Sequence, residues 1–150
     1  MNIEQTLNSI KQNNFQNNYL LYGEESFFID KISNLLIENV VPESEKVFNQ
    51  QIFYGKQTDV DYLVTNLKLF PMAGEKRLIV LKEAQKLPNI SNLDQYLSHP
   101  TKSTTFVICY KSKSVDKRKS WVKSIEKNGI VVECRTLYNN QIPRWINYAL

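Results

Sequence analysis

Five short apolar runs, separated by helical patterns, limit the folds that are open to this chain. The runs lie at 19–22, 46–53, 77–82, 104–110 and 130–134. Apolar residues recur at helical spacing between them, and the clearest helix is predicted over 25–40. Strands that alternate with helices indicate an α/β fold, and continuously apolar strands indicate cover on both faces. The sequence therefore predicts an α/β three-layer sandwich with a largely parallel five-stranded sheet, in which the half-polar second run lies near an edge.

The composition fits a single domain of this kind. The chain has 150 residues, of which 42% are hydrophobic and 23% are charged, and its net charge of +4 permits an acidic partner without requiring one. No apolar run approaches the roughly 20 residues that span a bilayer. The polar N-terminus lacks the basic region and the apolar segment of a secretion signal. We therefore expect a cytoplasmic protein that makes no membrane contact.

The turn at Gly23 occupies the position at which a phosphate-binding loop would join a strand to a helix. Such a loop has the pattern G-x-x-x-x-G-K-[ST], because backbone N–H groups surround the phosphates and the lysine reaches them. Here Gly23 is followed by Glu24 and Glu25, and the second glycine of the pattern is missing. Two carboxylates would repel a triphosphate, whereas they favour the positive end of a helix. We expect no bound nucleotide.

Residues that usually carry catalysis or metal binding are sparse in the sequence. Cys109 and Cys134 lie in apolar, β-branched runs, which is typical of buried cysteines. His99 is the only histidine, so a zinc site lacks ligands. Glu24 and Glu25 are adjacent and point in different directions, with no evident base, nucleophile or metal ligand beside them. We expect no catalytic residue, no metal and no cofactor.

The connector between the second long helix and the third strand carries larger apolar residues than a surface loop usually does. A helix that opens at Thr58 is predicted to end near Leu67, which belongs to its buried face. At about 100° per residue, Leu69 would lie nearly opposite Leu67. Phe70 precedes Pro71, and a residue before proline avoids helical geometry. Either Leu69 and Phe70 seal the core or they are exposed to a partner, and the helical phase favours exposure.

Two longer stretches give a more specific indication. YLLYGEESFFIDK at 19–31 and LKLFPMAGEKRLIVLKEA at 67–84 resemble the N-terminal region of the delta subunit of the bacterial DNA polymerase III clamp loader. That family has a tyrosine–glycine–acid turn after the first strand, and a phenylalanine–proline segment that leads into a glycine and a basic, apolar strand. The resemblance implies a degenerate P-loop ATPase-like domain without a nucleotide site. It also implies a domain without ATPase activity, although the family belongs to the DNA polymerase III holoenzyme.

The resemblance implies a role in binding the ring-shaped DNA sliding clamp (beta subunit) and in opening that ring during its loading onto DNA. The segment NLKLF at 66–70 is similar to the short clamp-binding motif Gln-Leu-x-Leu-Phe. The similarity implies that Leu69 and Phe70 act as a hydrophobic plug in a pocket of the clamp. Met72 would extend the plug, and Asn66 would stand at the position of the usual glutamine.

The resemblance also divides the chain. Residues 1–138 would form the clamp-binding N-terminal α/β domain, and residues 139–150 would begin a following helical domain that is truncated here. The missing C-terminal region would contact the other clamp-loader subunits. The chain is therefore expected to be the front part of a longer protein.

A basic run at 111–119 offers an alternative function. Clustered lysine and arginine supply salt-dependent affinity for DNA phosphates, and the residues that could do so are Lys111, Lys113, Lys117, Arg118 and Lys119. Charge runs, however, are usually solvated surfaces. No aromatic residues are interleaved with this run to stack on bases. A DNA-binding module is therefore the alternative to clamp binding, and any DNA contact in the first hypothesis is indirect.

Overall fold

A single parallel sheet forms the centre of the domain. The computed structural model describes residues 1–112 and 114–135. Within this part of the chain five strands pair in the order β2-β3-β4-β1-β5, and all four pairings are parallel. The strands are β1 Asn18–Tyr22, β2 Gln50–Tyr54, β3 Arg77–Lys82, β4 Thr104–Tyr110 and β5 Gly129–Glu133. The predicted sheet is confirmed, and β2 lies at an edge as its half-polar sequence indicates.

Helices connect the strands as a parallel sheet requires, because parallel neighbours need crossover connections. The α-helices of the described part are α1 Ile3–Lys11, α2 Ser26–Asn39, α3 Lys46–Asn49, α4 Val60–Leu67, α5 Asp94–Ser98 and α6 Ser120–Asn128. Short 3-10 turns lie at Glu43–Glu45, Gly55–Gln57, Ala84–Lys86 and Ile90–Leu93. None of the described helices is both long and apolar enough to cross a membrane.

Two apolar cores lie on opposite faces of the sheet, so the architecture has three layers. On one face α1 and α2 pack against Tyr19, Leu21, Val80 and Val107. On the other face α4, α5 and α6 pack against Leu20, Ile79, Leu81 and Phe106. Neighbouring strand residues enter different cores because successive side chains point to opposite faces. Burial of each such side chain stabilises the fold by roughly 1.5–3 kcal/mol, which explains why the fully covered strands β1, β3 and β4 are mainly apolar.

Two local predictions were wrong. Residues 46–49 form α3 and not the start of a strand, because buried Asn49 bonds to the backbone of Met72, 23 residues away. The cap of α4 is Asp59 and not Thr58, since the Asp59 carboxylate accepts the N–H of Tyr62 at 2.8 Å. α6 ends at Asn128 with Gly129 as its cap, and the extended backbone of Gly129 opens β5. The predicted helical domain at 139–150 lies outside the described residues.

The turn after β1 is fastened to the end of β5. Gly23 has φ +136°, and a Cβ at this position would overlap the carbonyl oxygen of Cys134. The N–H of Glu25 donates to that same carbonyl at 3.1 Å. The Glu25 carboxylate accepts the N–H of Phe27 at 3.1 Å and thereby caps α2. The N–H groups of residues 25 and 27, which open the helix, are thus used within the domain.

We expect Gly23→Ala to destabilise the domain by about 2 kcal/mol or more, because alanine meets both the unfavourable φ and the close strand. Urea unfolding followed by circular dichroism measures this change. The exposed neighbour Glu24 provides the control, and Glu24→Ala should change stability by under about 0.5 kcal/mol. Equal stability of the two variants would contradict the close approach of this turn to β5.

Candidate functional site

The loop between α4 and β3, residues 68–76 (loop 68–76), lies at the amino ends of the parallel strands. It starts tightly, because the N–H of Lys68 donates to Val64 at 3.1 Å and the N–H of Leu69 donates to Asn66 at 3.2 Å. Leu67 is the last helical residue and is fully buried. The chain therefore leaves the core abruptly after Leu67.

Three large apolar side chains of loop 68–76 are exposed. Leu69 is 50% exposed, Phe70 is 76% exposed and Met72 is 64% exposed. The hypothesis that Leu69 and Phe70 seal the core is wrong, and the prediction from helical phase that they face outward is confirmed. Isolated exposed apolar residues are common, but three within four positions form a patch of the kind that contacts another molecule.

Asn49 fixes the backbone of this loop from inside the domain. The Asn49 side chain is fully buried. Its oxygen accepts the N–H of Met72 at 2.8 Å, and its amide nitrogen donates to the Met72 carbonyl at 2.9 Å. An unpaired buried amide is costly, so both bonds hold the loop in one position. Asn49 carries no distinctive signal in the sequence, because it lies in a half-polar run beside Gln50 and Gln51.

Arg77 fixes the beginning of the same loop. Its side chain is buried and donates to the Asn66 carbonyl at 3.0 Å and to the Gln51 side chain at 3.3 Å. Burial lowers the pKa of Arg77, but the ordinary value is so high that the guanidinium stays charged at neutral pH. A cation at this end of α4 satisfies a terminal carbonyl and matches the negative end of the helix. Thr104 adds a bond to the Leu67 carbonyl at 3.4 Å.

Asn66 is buried, unlike Leu69, Phe70 and Met72, with which it was predicted to contact the clamp. Its side chain is buried and donates to the Tyr62 carbonyl at 2.9 Å, one turn back in α4. An amide held by its own helix is not presented on the surface with Leu69 and Phe70. A contact between Asn66 and the clamp stays a prediction, whereas its place in the domain is to complete the end of α4.

The basic run lies at the other end of the sheet, after the carboxyl end of β4. Lys111 pairs with Asp30 at 3.2 Å, and Arg118 pairs with Asp116 at 3.0 Å. Lys117 stands 5.8 Å from the centre of the Tyr22 ring, and its hydrogen bond to Tyr22 raises the pKa of Lys117. Lys119 is exposed, and Lys113 lies outside the described residues. A six-residue strand spans about 20 Å, so this run and loop 68–76 do not form one site.

Comparison with known proteins decides the family. The sequence model for "DNA polymerase III, delta subunit" matches residues 19–135. The chain belongs to this delta-subunit family. The stretches at 19–31 and 67–84, which resemble the family, both fall inside the matched residues, and so does loop 68–76.

Two relatives from Bacillus subtilis agree with the delta-family assignment. DNA polymerase III subunit delta of strain 168 is 27% identical over 139 residues, which covers 86% of this chain and 40% of that protein. The solved structure of the DNA clamp loader delta protein superposes with a TM-score of 0.80 at 26% identity, which covers 90% of this chain and 43% of that one. The delta-family chain thus spans about two fifths of the length of these relatives.

A more distant solved structure shows the fold alone. The DNA polymerase III gamma subunit-related protein from Thermotoga maritima superposes with a TM-score of 0.60 at 12% identity. The match covers 97% of this chain and 48% of that one. The delta-family domain therefore shares its α/β architecture with a second polymerase III-related protein.

The cysteines of this delta-family domain are structural. Cys109 and Cys134 are both buried and free. Burial raises the pKa of Cys109 to about 11 and that of Cys134 to about 12. Both thiols are therefore protonated at neutral pH and are poor nucleophiles. Within residues 1–112 and 114–135, no group of three or more His, Cys, Asp or Glu side chains could hold a metal ion.

One further polar cluster joins two helices. Between α5 and α6 the Ser124 hydroxyl donates to Asp94 at 2.5 Å, and the hydroxyls of Ser98 and Ser124 are 3.0 Å apart. These bonds lie beside a groove of about 780 Å³ that runs along α4 and includes His99. The serine donates directly to the carboxylate, so no histidine stands between them as the relay of a nucleophilic serine requires. The cluster fastens α5 to α6.

The two leucines at the end of α4 provide a matched test of this geometry. We expect Leu67→Ala to lower the free energy of unfolding by about 2–5 kcal/mol, because it leaves a cavity in the core. Leu69→Ala should lower it by under about 1 kcal/mol, because the side chain is half exposed. Urea denaturation of both variants measures the difference. A loss of stability at Leu69 as large as that at Leu67 would contradict the outward position of loop 68–76.

Proposed function

We propose that this delta-family domain binds the DNA sliding clamp through Leu69, Phe70 and Met72 and helps to open the ring while it is loaded onto DNA. The observation that carries the proposal is the fixed, outward presentation of these three side chains on loop 68–76. The Bacillus subtilis relative of known structure supports the setting, since that protein is a DNA clamp loader delta protein.

Transfer of two large apolar side chains into a pocket supplies the binding energy. Burial of a leucine or a phenylalanine is worth roughly 1.5–3 kcal/mol each. Anchors of this kind dominate interfaces out of proportion to their area. Asn49 already holds the loop backbone at Met72, Arg77 holds the end of α4 just before the loop, and Pro71 restricts the loop further. Because the loop backbone is already ordered, binding costs it less conformational entropy. More of the free energy of burial therefore contributes to affinity.

Ring opening needs a further property, because a ligand shifts an equilibrium only by its difference in affinity for the two states. The domain therefore has to bind the open ring more tightly than the closed ring. Loop 68–76 is suited to this task because both of its ends are fixed to the sheet. A rigid plug that fits its pocket better after the ring interface has separated would favour the open state.

Other parts of the loader would supply the nucleotide chemistry. The turn at Gly23 lacks the phosphate-binding pattern, and its first amides are bonded within the domain. The part of the relatives that extends beyond this chain would contact the other loader subunits. Replication of bacterial DNA takes place in the cytoplasm, which is therefore the proposed location. Contact with DNA would be indirect, because Lys111, Lys117 and Arg118 already interact with other residues of the domain.

The test is a titration of the domain against the cognate sliding clamp by isothermal calorimetry. We expect Leu69→Ala and Phe70→Ala each to weaken the affinity by roughly 10-fold to 150-fold, which corresponds to the burial energy of one side chain. Phe27→Ala is the matched control. Phe27 is an exposed aromatic residue at the start of α2, at the opposite end of the sheet, and its loss should leave affinity unchanged. Equal affinities for all four proteins would refute the plug.

Ring opening is measured separately with a fluorophore pair placed across one clamp interface. The wild-type domain should separate the pair, whereas Phe70→Ala at a saturating concentration should separate it less. Full binding by the wild-type domain without separation would contradict the opening step and leave only binding. Because the chain spans about two fifths of its relatives, the measurement is repeated with the full-length protein.

A further inference from the structure

A second pair of exposed apolar residues lies beside the loop. Val47 is 91% exposed and Phe48 is 43% exposed, and both belong to the short helix α3. α3 precedes β2, and loop 68–76 precedes β3, so both stand at the amino ends of two neighbouring parallel strands. Exposed apolar residues grouped in this way mark interaction surfaces.

α3 is bonded to loop 68–76 at one end and the residue before its other end lies close to the loop. At its end, Asn49 holds the backbone of Met72 through two hydrogen bonds. Just before its start, the Glu45 carboxylate lies so close to Gly74 that a Cβ there would overlap it. Because Asn49 points inward, Val47 lies about 200° around the helix and points outward. The outward sides of α3 and of the loop therefore lie side by side and are joined through Asn49.

The area of the loop alone is small for a protein interface. A phenylalanine buries about 150–250 Å², so Leu69, Phe70 and Met72, which are already partly covered, supply roughly 400 Å² in total. A standard interface buries about 800 Å² on each partner. The remaining area has to come from surface next to the loop, and α3 presents exposed apolar side chains that Asn49 joins to it.

We infer that the sliding clamp contacts α3 as well as loop 68–76. Val47 and Phe48 together with Leu69, Phe70 and Met72 form one docking surface, which we term the amino-end surface. This inference rests on the proposed function and names a further part of the same interface. In it, Leu69 and Phe70 are the anchors, while Val47 and Phe48 cover the adjoining surface of the clamp and exclude water from it.

The chemistry of α3 favours a protein partner over a nucleic acid. Its one cation, Lys46, pairs with Glu43 at 2.9 Å. The preceding Glu45 adds a negative charge on the side of the loop. Phosphates would be repelled here, whereas the apolar side chains require a partner with apolar surface.

The experiment compares clamp affinity for the double variant Val47→Ser/Phe48→Ser with that for Phe27→Ser. Phe27 is 40% exposed and Phe48 is 43% exposed, so Phe27→Ser matches the Phe48→Ser part of the double variant at the opposite end of the sheet. We expect the double variant to bind about tenfold more weakly, because it removes part of the apolar contact. Phe27→Ser should bind like the wild type. A synthetic peptide of residues 66–72 should bind more weakly than the whole domain.

The outcomes separate the two claims. If Phe70→Ala weakens binding and the α3 double variant does not, the inference is overturned and the proposed function stands. If Phe70→Ala binds like the wild type, the proposed function itself fails. The single variant Val47→Ser guards against unfolding, because a side chain that is 91% exposed contributes little to stability. Unchanged affinity in this folded variant together with equal binding of the 66–72 peptide would also overturn the inference.

Sedimentation equilibrium of the wild-type domain decides whether a second copy covers the surface instead. We expect a monomer at the concentrations of the titration. A dimer that dissociates on Val47→Ser would overturn the inference, because the amino-end surface would then be occupied by its own copy.

Discussion

The parallel alignment of the strands determines where everything else in this domain lies. Parallel neighbours cannot be joined by hairpins, so each strand is entered from the same end of the sheet and left at the other. All segments that precede a strand therefore gather at the amino end, and all segments that follow a strand gather at the carboxyl end. Loop 68–76 and α3 belong to the first group, and the basic run at 111–119 belongs to the second. The topology keeps the two candidate surfaces about one strand length apart.

At the amino end the usual placement of polar and apolar side chains is reversed. Asn49 and Arg77 are buried, while Leu69, Phe70 and Met72 are exposed. The buried polar groups bond to backbone atoms of the loop and of the end of α4. Their bonds hold a loop whose own side chains contribute little to the core. A loop that depends on its core for shape and not on its own packing is free to present apolar surface to another protein.

Much of this arrangement could be predicted from the sequence because it depends on local periodicity. The strands follow from apolar runs, and the exposure of Leu69 agrees with the prediction from helical phase, although α4 itself ends at Leu67. Periodicity could not predict the places where a contact between residues distant in the sequence decides the structure. Val47 and Phe48 belong to a half-polar run that was predicted to be one strand, yet residues 46–49 are helical and Asn49 bonds to Met72. Asn66 stands at the position of a motif residue, but its side-chain amide donates to the Tyr62 carbonyl within α4.

The turn at Gly23 bears on when the domain could bind its partner. In this turn the N–H of Glu25 donates to Cys134 at the end of β5, and the Glu25 carboxylate caps α2. These groups are already bonded, so they leave no open phosphate site at this turn. The clamp binding proposed above would therefore require no nucleotide at this turn. In that proposal, the timing of clamp binding would depend on neighbouring proteins that cover or expose loop 68–76.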